Sequence, residues 1–163
     1  MQIGLISDTH SYLDPSIITH FNSCDEIWHA GDFGSSEIAT QLEAVKPLRG
    51  VFGNIDGMAI RQRFPEQHIF TIEKTTVVMQ HIGGYPGRYA PGIKDVIQQN
   101  NAGIFISGHS HILRVMYDDK LNCLHLNPGA AGKQGWHKVR TIIRFAIEET
   151  EIKNCEVIEL GKR

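Results

Sequence analysis

A chain of 163 residues, 41% hydrophobic and 21% charged, has the make-up of a soluble globular domain with enough mass for a sizeable core. A formal charge of −2 lacks the basic excess of a nucleic-acid-binding surface, and no apolar stretch approaches the length of a membrane span. The three cysteines, Cys24, Cys123 and Cys155, form no Cys-x-x-Cys pair, which argues against a zinc knuckle or disulfide framework and for reduced core thiols in a cytoplasmic protein.

Met1 runs straight into an apolar strand at 3–7, bounded by Asp8-Thr9-His10-Ser11, so no signal peptide is expected. Asp14-Pro15 is a helix start, with Ile17, Ile18 and Phe21 on the inner face of a helix ending near Asn22. A second strand, 26–30, ends at Gly31-Asp32; Ser35 or Ser36 caps a helix through Leu42 and Val45; a third strand, 47–52, ends at Gly53-Asn54-Ile55-Asp56-Gly57. Strands at 68–73 and 75–80 turn at Lys74, and the second ends at His81. After an irregular loop, 82–92, a helix at 93–100 leads into the apolar run 104–107 and then Gly108-His109-Ser110-His111. A hairpin at 113–117 and 121–126, the turn Asn127-Pro128-Gly129, and an antiparallel pair at 139–147 and 151–160 complete the chain. Alternating strand and helix followed by mostly strands indicates one α/β domain over 1–163, with mixed sheets and helices outside.

Five strand ends carry metal-capable side chains: Asp8 with His10, Asp32, Asn54, His81, and His109 with His111. Ligands of open α/β sheets bind just outside the carboxyl ends of strands, so these residues can converge although they are far apart in sequence. Glycines beside four of the five, Gly31, Gly53, Gly83 and Gly108, permit close backbone approach. On an extended backbone His109 and His111 would share one face. Four imidazoles, two carboxylates and an amide oxygen exceed one ion's needs and suit two divalent cations. Mn²⁺ comes first, with Fe²⁺, Zn²⁺ or Ni²⁺ as alternatives. Two such ions roughly 3.5–4 Å apart serve phosphate-ester hydrolysis by binding phosphoryl oxygens and generating a bridging hydroxide. Singly, an Asp or His after a strand is more often a turn residue; the joint occurrence is what points to a site.

In this order, Asp8-Thr9-His10, Gly31-Asp32, Gly53-Asn54, His81 and Gly108-His109-Ser110-His111 resemble the calcineurin-like metallophosphoesterases. Asn127-Pro128-Gly129-Ala130 extends the resemblance toward the small prokaryotic, YfcE-like phosphodiesterase branch. The resemblance implies a four-layer αββα sandwich and a dinuclear phosphoesterase acting on a small phosphate ester. It further implies that Asp8, His10 and His111 hold one metal, Asn54, His81 and His109 the other, and Asp32 bridges them. Many family members have a histidine after the Gly-Asn pair and an aspartate three residues past the bridging one; here Ile55 and Ser35 stand there. Without that general acid, worth about 10²–10⁴-fold where it is used, departure must rely on metals, water or another group, which favours diesters with good leaving groups. Asp56 is expected to fix a loop or ligand.

Two other functions stay open. A retromer subunit of similar fold is a non-catalytic scaffold, which intact His10, Asn54, His109 and His111 argue against, and a phosphomonoesterase would separate from a diesterase by substrate comparison. A homo-oligomer is also open. His29 reads as buried support, Trp28 as core, and His20, His68 and His125 as surface or satisfied core residues. Arg88 with Tyr85 and Tyr89, and Lys133 with Trp136, His137 and Lys138, carry no decided role.

Overall fold

Runs such as Val77-Val78-Met79 and Ile104-Phe105-Ile106 have no polar alternation because both faces of their strands are covered. The computed structural model describes residues 1–163. Its elements run β1 (Gln2–Ile6), α1 (Pro15–Phe21), β2 (Glu26–His29), α2 (Ser36–Glu43), β3 (Leu48–Gly50), α3 (Met58–Arg61), β4 (Gln67–Ile72) and β5 (Thr75–Gln80). There follow β6 (Gly84–Tyr85), β7 (Arg88–Tyr89), α4 (Ile93–Gln99), β8 (Ile104–Ile106), β9 (Arg114–Asp118), β10 (Cys123–Asn127), β11 (Val139–Glu148) and β12 (Glu151–Lys162).

Two five-stranded mixed sheets form, in the orders β12-β11-β1-β2-β3 and β4-β5-β8-β10-β9. In the first, β1, β2 and β3 are parallel, β11 is antiparallel to β1 and β12 antiparallel to β11; in the second, β5, β8 and β10 are parallel and β4 and β9 antiparallel to them. Side chains sort by the two-residue strand period. Ile3, Leu5, Val77, Met79, Ile104 and Ile106 meet Trp28, Ile143 and Phe145 between the sheets. Ile6 and Ile27 turn outward to Ile17 and Phe21 of α1 and Leu42 of α2, while Val78 and Phe105 turn to Ile93 and Ile97 of α4. These three apolar contacts separate four layers, the expected αββα sandwich. Each large side chain buried in them contributes about 1.5–3 kcal/mol.

Asp14 caps α1 as expected, its Oδ1 accepting from the Ser16 amide with Pro15 at the helix start. Ile18 does not face inward: it is 42% exposed, because α1 is short and only Ile17 and Phe21 meet the sheet. Cys24 and Cys123 are buried thiols, but Cys155 is exposed on the edge strand β12. The ribbon β6–β7 lies where a loop was expected, and helix α3 where no element was assigned, each too short to leave a periodicity. No helix is long and apolar enough to cross a membrane.

Candidate metal centre

The carboxyl ends of β1, β2 and β3 from one sheet, and of β5 and β8 from the other, deliver the singled-out residues. Metal-capable atoms of Asp8, His10 and His111 lie within 4.8 Å of one another, as do those of Asp32, His81 and His109. Asp32 reaches both groups: its Oδ2 is 3.2 Å from His81 Nε2 and 3.7 Å from His10 Nε2. Asp8 Oδ1 is 3.2 Å from His111 Nε2, 3.9 Å from His81 Nε2 and 4.0 Å from His10 Nε2. Asn54 is exposed and lines, with His81, a cavity of about 190 Å³, while the amide of neighbouring Ile55 donates to Asp32 Oδ1 at 3.1 Å. One expectation about the histidine pair fails, and it is conformational. His109 and His111 do not alternate along an extended strand; both have left-handed backbones, φ 66° and 57°, and aim at different groups.

The ligand atoms are oriented from behind. His81 Nδ1–H donates to Ala30 O at 2.7 Å, which turns Nε2 and its lone pair toward the carboxylates. Asp8 Oδ2 accepts from the His109 amide at 3.1 Å, leaving Oδ1 for the site. Asp8 Oδ1 and His81 Nε2 are buried without a hydrogen-bond partner, and His10 Nε2 faces His111 Nε2 at 3.2 Å. Buried polar atoms left unpaired are costly, so their convergence marks a place for a cation. These all-nitrogen-and-oxygen donors fit a divalent ion such as Mn²⁺, Fe²⁺ or Zn²⁺.

Protons answer the same field. The contact with Asp8 carries His111 above the ordinary histidine value against the cost of burial. Burial works to lower His81, but Asp32 and Asp8 outweigh it and raise that imidazole too. Burial holds His10 below the usual value, with both carboxylates opposing. Burial works to raise Asp32, yet His81 and the Ile55 amide hold it below the usual carboxylate range.

His29 is the buried support its position suggested. Its Nδ1 accepts from the Gly31 amide, so Nε2–H donates to Thr9 Oγ1 at 3.0 Å, and Thr9 donates on to Phe33 O. Stacked on Phe33 and wholly buried, it is kept neutral by desolvation. Asp56, 3% exposed, accepts from the amides of Gly34 and Gly53, both at 2.8 Å, and so ties the loops that carry Asp32 and Asn54. Two glycines are obligatory for this closeness: a Cβ on Gly53 would stand 2.0 Å from Asp32 Oδ1, and one on Gly108 2.2 Å from Ser7 Oγ.

Three residues had no role in the site assigned from the sequence. Asn127, read as a turn residue, donates to Gly108 O at 2.8 Å and accepts from Gly129 N, joining the turn to the histidine loop. His137 packs its ring 5.3 Å from that of His111 and donates through Nε2 to Gly132 O. Arg114 stands over the Tyr85 ring beside His109; a cation shortly after the histidine pair was its only signal. Ser35 stands at the N-cap position of α2 without a side-chain hydrogen bond to the helix, Ile55 is 47% exposed, and Trp136 is 99% exposed. His125 is buried against Ser107 and pushed down to about 4 by burial and by the Arg114 charge; its Nδ1 and that of His68 are unpaired, so neither is a fully satisfied core histidine.

Comparison with known proteins identifies the family and the fold. A probable metallophosphoesterase of Methanothermobacter thermautotrophicus is 34% identical over 137 residues, 80% of this chain and 77% of the relative. Wild-type Vps29 of Entamoeba histolytica complexed with zinc superposes with a TM-score of 0.75 at 20% identity, over 98% of this chain and 99% of that one. YfcE, a phosphoesterase from E. coli, superposes with a TM-score of 0.63 at 17% identity, over 96% and 98%. At these identities the two superpositions speak for the fold alone. Residues 1–150 match the calcineurin-like phosphoesterase superfamily domain, and the chain belongs to that superfamily.

Proposed function

We propose that this chain is a phosphodiesterase using two divalent cations, Mn²⁺ first. Asp8, His10 and His111 would hold one, Asn54, His81 and His109 the other, and Asp32 both. The observation that carries this reading is the pair of three-residue groups with Asp32 within 4 Å of imidazoles from each, built on buried and unpaired ligand atoms. Cations bound there supply Lewis-acid charge to the phosphoryl oxygens and water activated to hydroxide near neutral pH. The chain's own part is orientation: His81 is fixed by Ala30, Asp8 by the His109 amide, and the Asp32 loop by Asp56. At Ile55 the side chain is an exposed alkyl group, which transfers no proton to a leaving oxygen. Esters that leave well are therefore favoured. Cavities of about 190 Å³ beside Asn54 and about 250 Å³ beside His109 give room for two ester arms, which supports diesters over monoesters.

Bis-p-nitrophenyl phosphate should be hydrolysed faster than p-nitrophenyl phosphate by protein supplied with Mn²⁺. Asp32→Asn and His109→Ala should each lower the rate at least about 100-fold, the upper range for disturbing a metal shell. Absence of turnover with Mn²⁺, Fe²⁺, Zn²⁺ and Ni²⁺ alike would overturn the reading; metal analysis of the same sample tells a metal-free scaffold from an enzyme lacking its substrate.

A further inference from the structure

The cavity of about 250 Å³ beside His109 offers room for one ester arm, and its arginines take no part in catalysis as described. Tyr85, Arg88, Arg114, Ser110 and Asn127 share its wall with His109, and no carboxylate lines it. Arg114 is half-buried, its guanidinium 3.7 Å from the Tyr85 ring centroid, with a buried Nε lacking any hydrogen-bond partner. Its one side-chain hydrogen bond is a weak one to Met116 Sδ at 3.7 Å. Neither Arg88 nor Arg114 enters an ion pair, whereas Arg49, Arg63, Arg140 and Arg144 all do. Two cations without counter-ions at the edge of a phosphoesterase site are a receptor for negative charge. The planar guanidinium suits a carboxylate or phosphate in bidentate contact, and Tyr85 holds it in place.

Size limits the ligand. The cavity falls below the ~300 Å³ at which drug-sized pockets begin, so it admits a charged group on a short carrier rather than a whole nucleotide. Tyr89 offers no donor to it, because its hydroxyl is committed to Asp118 at 2.7 Å.

We propose that this cavity is a specificity pocket for a second anionic group on the substrate: the preferred ester carries, on one short arm, a carboxylate or phosphate that Arg114 binds with Arg88 in support. This rests on the phosphodiesterase reading for its substrate class, but the pocket can be probed without turnover. Two esters differing only in that charge, p-nitrophenyl butyl phosphate and p-nitrophenyl 3-carboxypropyl phosphate, are compared by kcat/KM. Wild type should prefer the carboxylate ester by about tenfold, as one charge-assisted contact implies, mostly through KM. Arg114→Met should bring the ratio close to one, and Arg114→Lys should restore part of it. Calorimetric titration of Mn²⁺-loaded protein with butylphosphonate and 3-carboxypropylphosphonate reads the same discrimination as affinity. Equal affinities, or a preference that survives Arg114→Met, overturn the pocket. An affinity gap that vanishes in Arg114→Met, with neither ester turned over, upholds the pocket and overturns the phosphodiesterase reading alone.

Discussion

Asp8, His10, Asp32, His109 and His111 all have φ between 47° and 66°, a region that non-glycine residues rarely occupy. Such conformations cost about 1–3 kcal/mol each and persist only where surrounding structure fixes them. Here the fixing groups can be named: His29 and Thr9 pin the loops after β1 and β2, and Asn127 pins the loop after β8. Asp56 is the most concentrated of them, one buried carboxylate holding two backbone amides from separate loops. Asp56→Ala should leave both amides unpaired and lower stability by about 2–4 kcal/mol, read as a shifted urea midpoint. Because the Asp32 loop is one of the two, Mn²⁺ affinity should fall by about 10–100-fold. Asp56→Asn, keeping one acceptor oxygen, should lie between. A variant with the wild-type midpoint and affinity would show that Asp56 only fills space.

At the scale of elements, Asp14 is the joint between α1 and the sheet. Its carboxylate caps the helix and pairs with Arg140 of β11 at 2.8 Å, and Arg140 is only 6% exposed. Hydrogen bonds from Ser16 and Arg140 hold Asp14 down to about 2, against an ordinary 3.8. A depressed carboxylate stabilises the fold fully above its unfolded value, and that contribution is lost as pH falls through the folded one. Wild-type stability should therefore drop between about pH 4 and about pH 2 more steeply than that of Asp14→Asn, which retains a cap but has no charge to lose. Equal acid profiles would remove Asp14 from the account. Capping was legible because Asp-Pro before an apolar stripe is a local signal, and so were the strand ends, since polar residues interrupt doubly buried strands only where the chain leaves the sheet. What was not legible is tertiary in origin. The left-handed turn of His109 and His111 is imposed by contacts with Asp8 and Asn127, far away in sequence. A four-residue helix such as α3 makes only one turn, and the two-residue strands β6 and β7 had the Pro86-Gly87 turn as their sole signal. Arg114 looks like any strand residue until Tyr85 is placed under it.

Across the whole molecule, the candidate ligands divide between the sheets. Asp8, His10, Asp32 and Asn54 follow strands of the first sheet, and His81, His109 and His111 follow strands of the second. Each three-residue group draws on both, so a bound cation ties one half of the sandwich to the other. A ligand of the folded state alone stabilises it by about 2.7 kcal/mol at one hundred times its dissociation constant. For a chain of this length that amounts to a melting-temperature rise of about 5–10 °C. Chelation should remove the rise, Mn²⁺ should restore it, and Asp32→Asn should respond little. The effect should also depend on pH. In the metal-free protein His81 and His111 have raised pKa values, so their proton-linked stability is present below the unfolded value of 6.5 and fades as pH rises through the folded values. Metal binding needs those imidazoles deprotonated and runs the opposite way. The Mn²⁺-induced rise should therefore be small near pH 6 and grow toward about pH 8, as protons stop competing for the same lone pairs. A rise that is equal at both pH values, or that Asp32→Asn shows in full, would mean that the cation binds elsewhere and that the two sheets are not joined through these residues.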